Sequence, residues 1–397
     1  MPIINQIVKG GGGTAPEYYV EKTLDANGKL TASSNLIKLD GIRAVDSYVL
    51  SNANRGASFN PGTAVTFGDL ESVTGDHALN SMFVNSSGIV SITFDKLKTI
   101  TGSYALANLC SGISTLNSVD MKNVETISGN HACESMATNT YNLSGFNLDK
   151  LKSISGTQAC YRMFSAIKTT TISLPSLESV YGTQSCQEMF GSSTATTVNL
   201  PKLVVAQTSN TLANYGALQN MMASSTNLTA FNIPSLKSIL GVNTMRGVIA
   251  SCSSMTSLSF PAVNPNSFGD KTNQFVGMCS NIPNITLHFP SNVQSVIEGL
   301  VGYSTTAPFG AVAGTVLFDL PATVILTGAN SQAYERSPKD DTATALAWRK
   351  QDTGTEPNLV IDWTPFYTSG TSDPTVGDTI YSDSACTTAV TTISSIA

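Results

Sequence analysis

Apolar residues return along this chain at spacings that suit neither one long helix nor one long strand. In Ile89–Ile100 (IVSITFDKLKTI) they recur as hxxhxhxxLxxI, where h is apolar. Later stretches repeat the pattern with proline inside it: TTISLPSLESV, TTVNLPKL, TAFNIPSLKSI and TSLSFPAV. The short β-branched runs predict strands. Proline fits the corner between them, where a strand has ended and no amide donor is needed. After the second run come glycine and a small polar residue, Asp76, Ser103, Asn130, Thr157 or Thr183, which reads as a helix N-cap. Ala78, Ala105, Ala132 and Ala159 follow, each with Met or Leu four residues later, and this predicts a short helix with one buried face. Each unit is therefore expected to run strand, corner, strand, helical turn.

The unit repeats. LESVTGDHALNSMF, LKTITGSYALANLC, VETISGNHACESMA, LKSISGTQACYRMF and LESVYGTQSCQEMF start at Leu70, Leu97, Val124, Leu151 and Leu177, steps of 27, 27, 27 and 26 residues. Weaker copies start at Leu203, Leu236 and Val263, and an earlier one fits at Ile42, giving about eight units. One unit cannot bury its own apolar side, whereas stacked units share a continuous core. Two columns support stacking in register. The residue after the leading Leu or Val reads Glu71, Lys98, Glu125, Lys152, Glu178, so its sign alternates from rung to rung. The next reads Ser72, Thr99, Thr126, Ser153, Ser179, a hydroxyl ladder. With rungs ~4.8 Å apart, opposite charges would lie side by side.

The expected fold class is an α/β repeat solenoid of 26–27-residue units with short strands and short helical turns, followed by a small β-rich C-terminal module. Residues 1–35 read as an attachment peptide, glycine linker and cap, residues 36–300 as the solenoid, and 301–397 as the C-terminal cap and module. In the last part VLFDLPATVILTG, LVIDW and TIYSD read as strands, and Lys339–Lys350 (KDDTATALAWRK) as a short helix.

Composition narrows the function. Only 12% of the 397 residues are charged, about half the usual ~25%. Ser, Thr, Asn and Gly fill the gap, as suits an extracellular or particle-borne surface. The net charge is −6 and no basic stripe offers itself to phosphate, so no nucleic-acid partner is expected. No window reaches the ~18 apolar residues of a membrane span, and the N-terminus does not read as a secretory signal. Seven cysteines without CxxC spacing support neither a disulfide framework nor a zinc site. No cofactor or metal is expected.

Candidate chemistry is thin. His77 and His131 share a column with Tyr104 between them and Gln158 and Gln184 continuing it. The column reads either as a ligand-facing strip or as an ordinary solvated face. Two rungs, ~9–10 Å, are too far for one metal ion to bridge both histidines. The third histidine is His288. Trp348 and Trp363 read as packing in the cap or as an aromatic platform for sugar. Cys133, Cys160 and Cys186 form a second column, expected as buried free thiols, with Cys110, Cys252 and Cys279 packing likewise. The sequons at Asn85, Asn142, Asn227 and Asn284 follow from the repeat pattern and are not read as glycosylation sites. No GxSxG, HExxH, P-loop or nucleotide fingerprint is present, so no catalytic residue is assigned.

The LPSLESV run, glycine turn and ACxxMF segment resemble the BspA-like leucine-rich repeats of bacterial surface proteins and of gut bacteria and their phages. The units here are longer than is usual in that family. The opening MPIINQIVKGGGG and the tail Gly377–Ala397 are similar to segments of gut phage and prophage tail-associated proteins. These resemblances imply a non-enzymatic, tail-associated virion protein that presents its solenoid for host recognition. Its partners would be a bacterial surface glycan or protein, other virion proteins through the N-terminus, and a second copy of the chain. The alternatives are a bacterial cell-surface adhesin and a purely structural virion decoration.

Overall fold

The computed structural model describes residues 36–38, 44–45, 47, 50–52, 54–209, 215–263, 274–283, 285–288, 316–319, 325–328, 333–336, 345–350 and 366–396. The attachment peptide and glycine linker expected over 1–35 lie outside them.

From Leu36 to Asp319 the described strands form a parallel β-solenoid. The first strands of the rungs are β1 (Leu36–Lys38), β3 (Ser58–Phe67), β5 (Ser87–Phe94), β7 (Ser118–Asp120), β9 (Gly145–Asn147), β11 (Thr171–Ser173), β13 (Thr197–Asn199), β15 (Ala230–Asn232), β17 (Ser257–Ser259), β18 (Ile285–His288) and β19 (Val316–Asp319). The second strands are β2 (Ala44–Val45), β4 (Ser72–Val73), β6 (Thr99–Ile100), β8 (Thr126–Ile127), β10 (Ser153–Ser155), β12 (Ser179–Tyr181), β14 (Val205–Gln207) and β16 (Ser238–Leu240), which form one eight-stranded sheet. Its register follows the sequence repeat: Ile100 faces Ile127, Ile127 faces Ile154, and Ile154 faces Val180. VLFD, read as part of the C-terminal module, is β19 and pairs in parallel with β18, extending the ladder past residue 300.

The third wall corrects the expectation of short helices. Among the described residues there is no helix. The segment after each glycine is a run of turns whose alternate amides bond to the next rung. Leu79, Ser81 and Phe83 N–H groups donate to the carbonyls of Ala105, Ala107 and Leu109, each at 2.8 Å. The amides between them close turns within the rung, such as Asn80 N–H to His77 C=O at 3.3 Å. Every fourth residue takes a left-handed φ: His77 at 54°, Ser81 and Asn85 at 55°. These rung-to-rung bonds hold the third wall at the same close spacing as the strands, ~4.8 Å, where a helix ~10–12 Å across does not fit. Nor are the polar residues after the glycines N-caps. Asp76 Oδ1 accepts the Ser103 N–H at 2.7 Å and Asn130 Oδ1 accepts the Thr157 N–H at 2.8 Å, so each satisfies an amide one rung further on.

The core is the column expected from the repeat. Leu70, Leu97, Val124, Leu151, Leu177, Leu203 and Leu236 are all fully buried. Phe67 and Phe94 stack with centroids 4.6 Å apart. The first-strand wall is interrupted after β9 and after β15. Along it the inward column reads Val65, Ile92, Val119, Phe146, then Ile172, Val198, Phe231, then Leu258 and Leu287. Both phenylalanines stand on the last strand before a break.

The C-terminal strands close on themselves. β20 (Ile325–Gly328), β21 (Ala333–Arg336), β22 (Ala345–Lys350), β23 (Phe366–Ser369), β24 (Thr379–Tyr381) and β25 (Ala389–Ile396) form an antiparallel barrel. Of the helix expected over Lys339–Lys350, the described part, Ala345–Lys350, is instead β22, which pairs with β21 and β23. In the β24–β25 loop the Asp383 carboxylate accepts the Thr387 and Thr388 amides, at 3.1 and 2.6 Å. The Thr387 amide foremost holds its pKa below the ordinary aspartate value.

Candidate functional site

The residues singled out in the sequence converge on two columns. His77, Tyr104, His131, Gln158 and Gln184 each occupy a left-handed turn position, with φ between 52° and 56°. A non-glycine side chain in that conformation is uncommon, and here the turn wall demands it at every rung. The rings lie flat on one another: His77 on Tyr104 at 4.7 Å and 7°, Tyr104 on His131 at 4.4 Å and 4°. Gln158 continues the column through Nε2–H to Gln184 Oε1 at 3.3 Å. His77 Nδ1 meets Asn80 Nδ2 at 2.8 Å, and His131 Nδ1 meets Glu134 Oε2 at 2.6 Å. Both faces of Tyr104 are thus covered by imidazoles, so a ligand would meet ring edges. We expect Tyr104→Asn, which keeps a residue tolerant of left-handed φ, to lower stability by about 1–2 kcal/mol through the lost stacking. Urea unfolding measures this, and an unchanged midpoint would show the stack to be incidental.

The second feature is the outer face of the eight-stranded sheet. Ser72, Thr99, Thr126, Ser153 and Ser179 stand in register. Two positions on, Thr74, Thr101, Ser128 and Ser155 form a parallel column that ends at exposed Tyr181. None of these nine hydroxyls donates to or accepts from another group among the described residues, so they are open to a ligand. Beside them runs the ladder Glu71, Lys98, Glu125, Lys152, Glu178. Lys152 Nζ lies 2.8 Å from Glu125 Oε2, with the two side chains 55% and 39% exposed. The hydrogen bond from Lys152 lowers the Glu125 pKa, and Lys98 and Lys150 add to the effect. Pairs this exposed contribute little to stability. Their consequence is a face whose charge alternates in sign from rung to rung. Similar rung-to-rung links are Lys96 to Asp69 at 2.6 Å, Lys150 to Asn123 at 2.8 Å and Arg162 to Glu188 at 2.7 Å. Sequence reading missed these three, although the same 26–27-residue offset reveals them.

The remaining candidates lie apart. Cys110, Cys133, Cys160, Cys186, Cys252 and Cys279 are buried free thiols. Burial raises the pKa of Cys110, Cys160, Cys186 and Cys279, and brings Cys252 to about 12. A buried thiol that resists ionisation is a poor nucleophile. A water-soluble thiol reagent should therefore label Cys386 first and the other six only in denaturant. Several thiols reacting at once in native buffer would contradict the packing. Trp348 lies on β22, opposite Arg336 and Phe366 in register. Trp363 lies outside the described residues. His288 ends β18, away from the stacked column. Among the described residues no three of His, Cys, Asp and Glu converge as for a metal ion, and no helix is long and apolar enough to cross a membrane.

No protein-family model matches the chain, and no curated protein sequence does. Among solved structures, it is similar to a leucine rich cell surface protein from Faecalibacterium prausnitzii A2-165, at 11% identity and a TM-score of 0.21, over 77% of this chain and 96% of that one.

Proposed function

We propose that this protein is a non-enzymatic recognition solenoid whose outer β-face engages a bacterial surface. The observation that carries the reading is the double column of unengaged hydroxyls, held in register beside charges that alternate in sign. A backbone bonded rung to rung keeps such an array ordered before a ligand arrives, which reduces the ordering cost of binding. Alternating charge disfavours a polyanion or a polycation, either of which meets like charge at every second rung, and leaves a neutral glycan or a mixed-charge protein surface as partner. Carriage on a phage particle, with attachment through the N-terminal segment, rests on the resemblance of the two termini.

The test is binding of the purified protein to a panel of intact gut bacteria. A variant with Thr99→Arg, Thr126→Arg and Ser153→Arg, shown by circular dichroism to be folded, covers the face with one sign of charge. It should bind at least about tenfold more weakly than wild type. Equal binding by the variant would move recognition off this face, and no binding to any strain would remove the function. Immunogold labelling of particles and of cells separates virion carriage from a cell-surface adhesin.

A further inference from the structure

A block of the chain's sparse charge sits on the corner between the first and second strands, on the rungs of Leu70, Leu97, Val124 and Leu151. It forms three rows parallel to the solenoid axis. Backbone bonds fix the first: the Lys98 N–H donates to the Glu71 carbonyl at 2.9 Å, the Glu125 N–H to the Lys98 carbonyl at 2.8 Å, and the Lys152 N–H to the Glu125 carbonyl at 2.9 Å. The second row reads Asp69, Lys96, Asn123, Lys150, where Lys96 reaches Asp69 at 2.6 Å and Lys150 reaches Asn123 at 2.8 Å. The third reads Asp95, Lys122, Asp149 on the second, third and fourth of these rungs. Sign alternates along the first and third rows, and Asn123 interrupts the second. Pairing within the chain leaves part of this charge unused. Glu71, Lys98, Asp95 and Asp149 are exposed and form no ion pair among the described residues.

The pattern is complementary to itself. A partner that matches it must alternate in sign at the rung spacing of ~4.8 Å, and a second copy of this chain does so by construction. Place a two-fold axis across the corner, perpendicular to the solenoid axis, between Lys98 and Glu125. It lays the first of the four rungs on the partner's fourth, and the second on the partner's third. In each row opposite charges then meet: Glu71 with Lys152, Lys98 with Glu125, Asp69 with Lys150, and Asp95 with Lys122. Symmetry makes each of these contacts twice. A slip of one rung brings Lys98 onto Lys152 and Asp95 onto Asp149, so like charges enforce the register. A parallel arrangement sets Lys96 against Lys96 and Lys150 against Lys150. We propose that two copies of this protein pair antiparallel through this corner. The patch is three rung spacings long, about 14 Å, and exposed ion pairs are individually weak. The dimer is therefore reversible, of the small transient class, and sensitive to salt. It needs no ligand on the hydroxyl columns and is separate from their proposed function.

The experiment is sedimentation velocity of the full-length protein over a concentration series, in salt of about 50 mM and about 500 mM. The expected result is a monomer–dimer equilibrium at low salt that weakens at least about tenfold at high salt. Two variants then exchange the signs of the first row. Lys98→Glu with Lys152→Glu makes it acidic on all four rungs, and Glu71→Lys with Glu125→Lys makes it basic. Each variant alone should stay monomeric at low salt, and an equimolar mixture should recover the dimer. Recovery in the mixture also shows that both variants are folded. A wild-type protein that stays monomeric at low salt overturns the proposal. So does a dimer indifferent to salt, a variant that pairs with itself as well as wild type does, or a mixture that remains monomeric.

Discussion

Replacing Gly129 with alanine should cost about 3 kcal/mol and lower the urea midpoint by a clear margin. A Cβ at Gly129 would stand 2.2 Å from the Gly102 carbonyl oxygen and 2.7 Å from its carbon. Gly102 has the same relation to the Gly75 oxygen, at 2.2 Å. The glycines are a column because the backbone of one rung rests on that of the next with no space for a methyl group. The obstacle is backbone bonded on both sides, so it cannot rotate away as a flexible side chain would. Gly145→Ala is the matched control. Its Cβ would meet nothing nearer than Ser118 Cβ at 3.6 Å, and the change should be neutral or stabilising by about 0.5 kcal/mol. Equal losses at the two sites would mean that rung stacking does not set the glycine requirement.

Leu151→Ala should cost about 3 kcal/mol, within the range for deleting a buried leucine. Leu151 is fully buried, in the column between Val124 and Leu177, each also fully buried. Neighbouring rungs are fixed by backbone bonds above and below, so the cavity relaxes little. In a solenoid each rung is stabilised mainly by its two neighbours. Damage at a central rung therefore weakens two interfaces, and unfolding monitored by urea should broaden as well as shift. Leu151→Met keeps most of the volume and should cost less than about 1.5 kcal/mol. A loss below 1 kcal/mol for the alanine variant would place Leu151 at the edge of the core.

How much of this could be read beforehand follows from which residues carry period and which carry conformation. The repeat, the apolar column from Leu70 to Leu177 and the shared column of His77, Tyr104 and His131 are statements about period. Alignment at 26–27 residues reveals them directly. The turn wall is a statement about conformation. Ala78, Leu79, Met82 and Phe83 recur with a period of 4, and a helix has 3.6. Over the steps from Ala78 to Phe83 the two differ by about 50°, less than one residue step, so the pattern alone does not separate them. The deciding facts were the ~4.8 Å rung spacing and the Asn, Ser and Gly residues at every fourth position, as in Ser81, Asn85, Asn108 and Gly112. Tyr104 and Gln158 carry no such mark, so the stacking of their column stayed hidden. The break after β15 was hidden as well, because the apolar pattern runs on through Phe231 and Leu258 without a sign of the missing strand pair. In the C-terminal barrel, Ala345–Lys350 is rich in helix formers yet forms β22, where pairing on both sides overrides intrinsic propensity.

The central claim is that successive 26–27-residue units lie in register around one core. Methyl–methyl nuclear Overhauser effects in a sample labelled at Ile, Leu and Val methyls test it most directly. The structure predicts that Ile127 contacts both Ile100 and Ile154, and that Ile154 also contacts Val180. Contacts from Ile127 to neither isoleucine, or to residues displaced by one position along the strands, would contradict it.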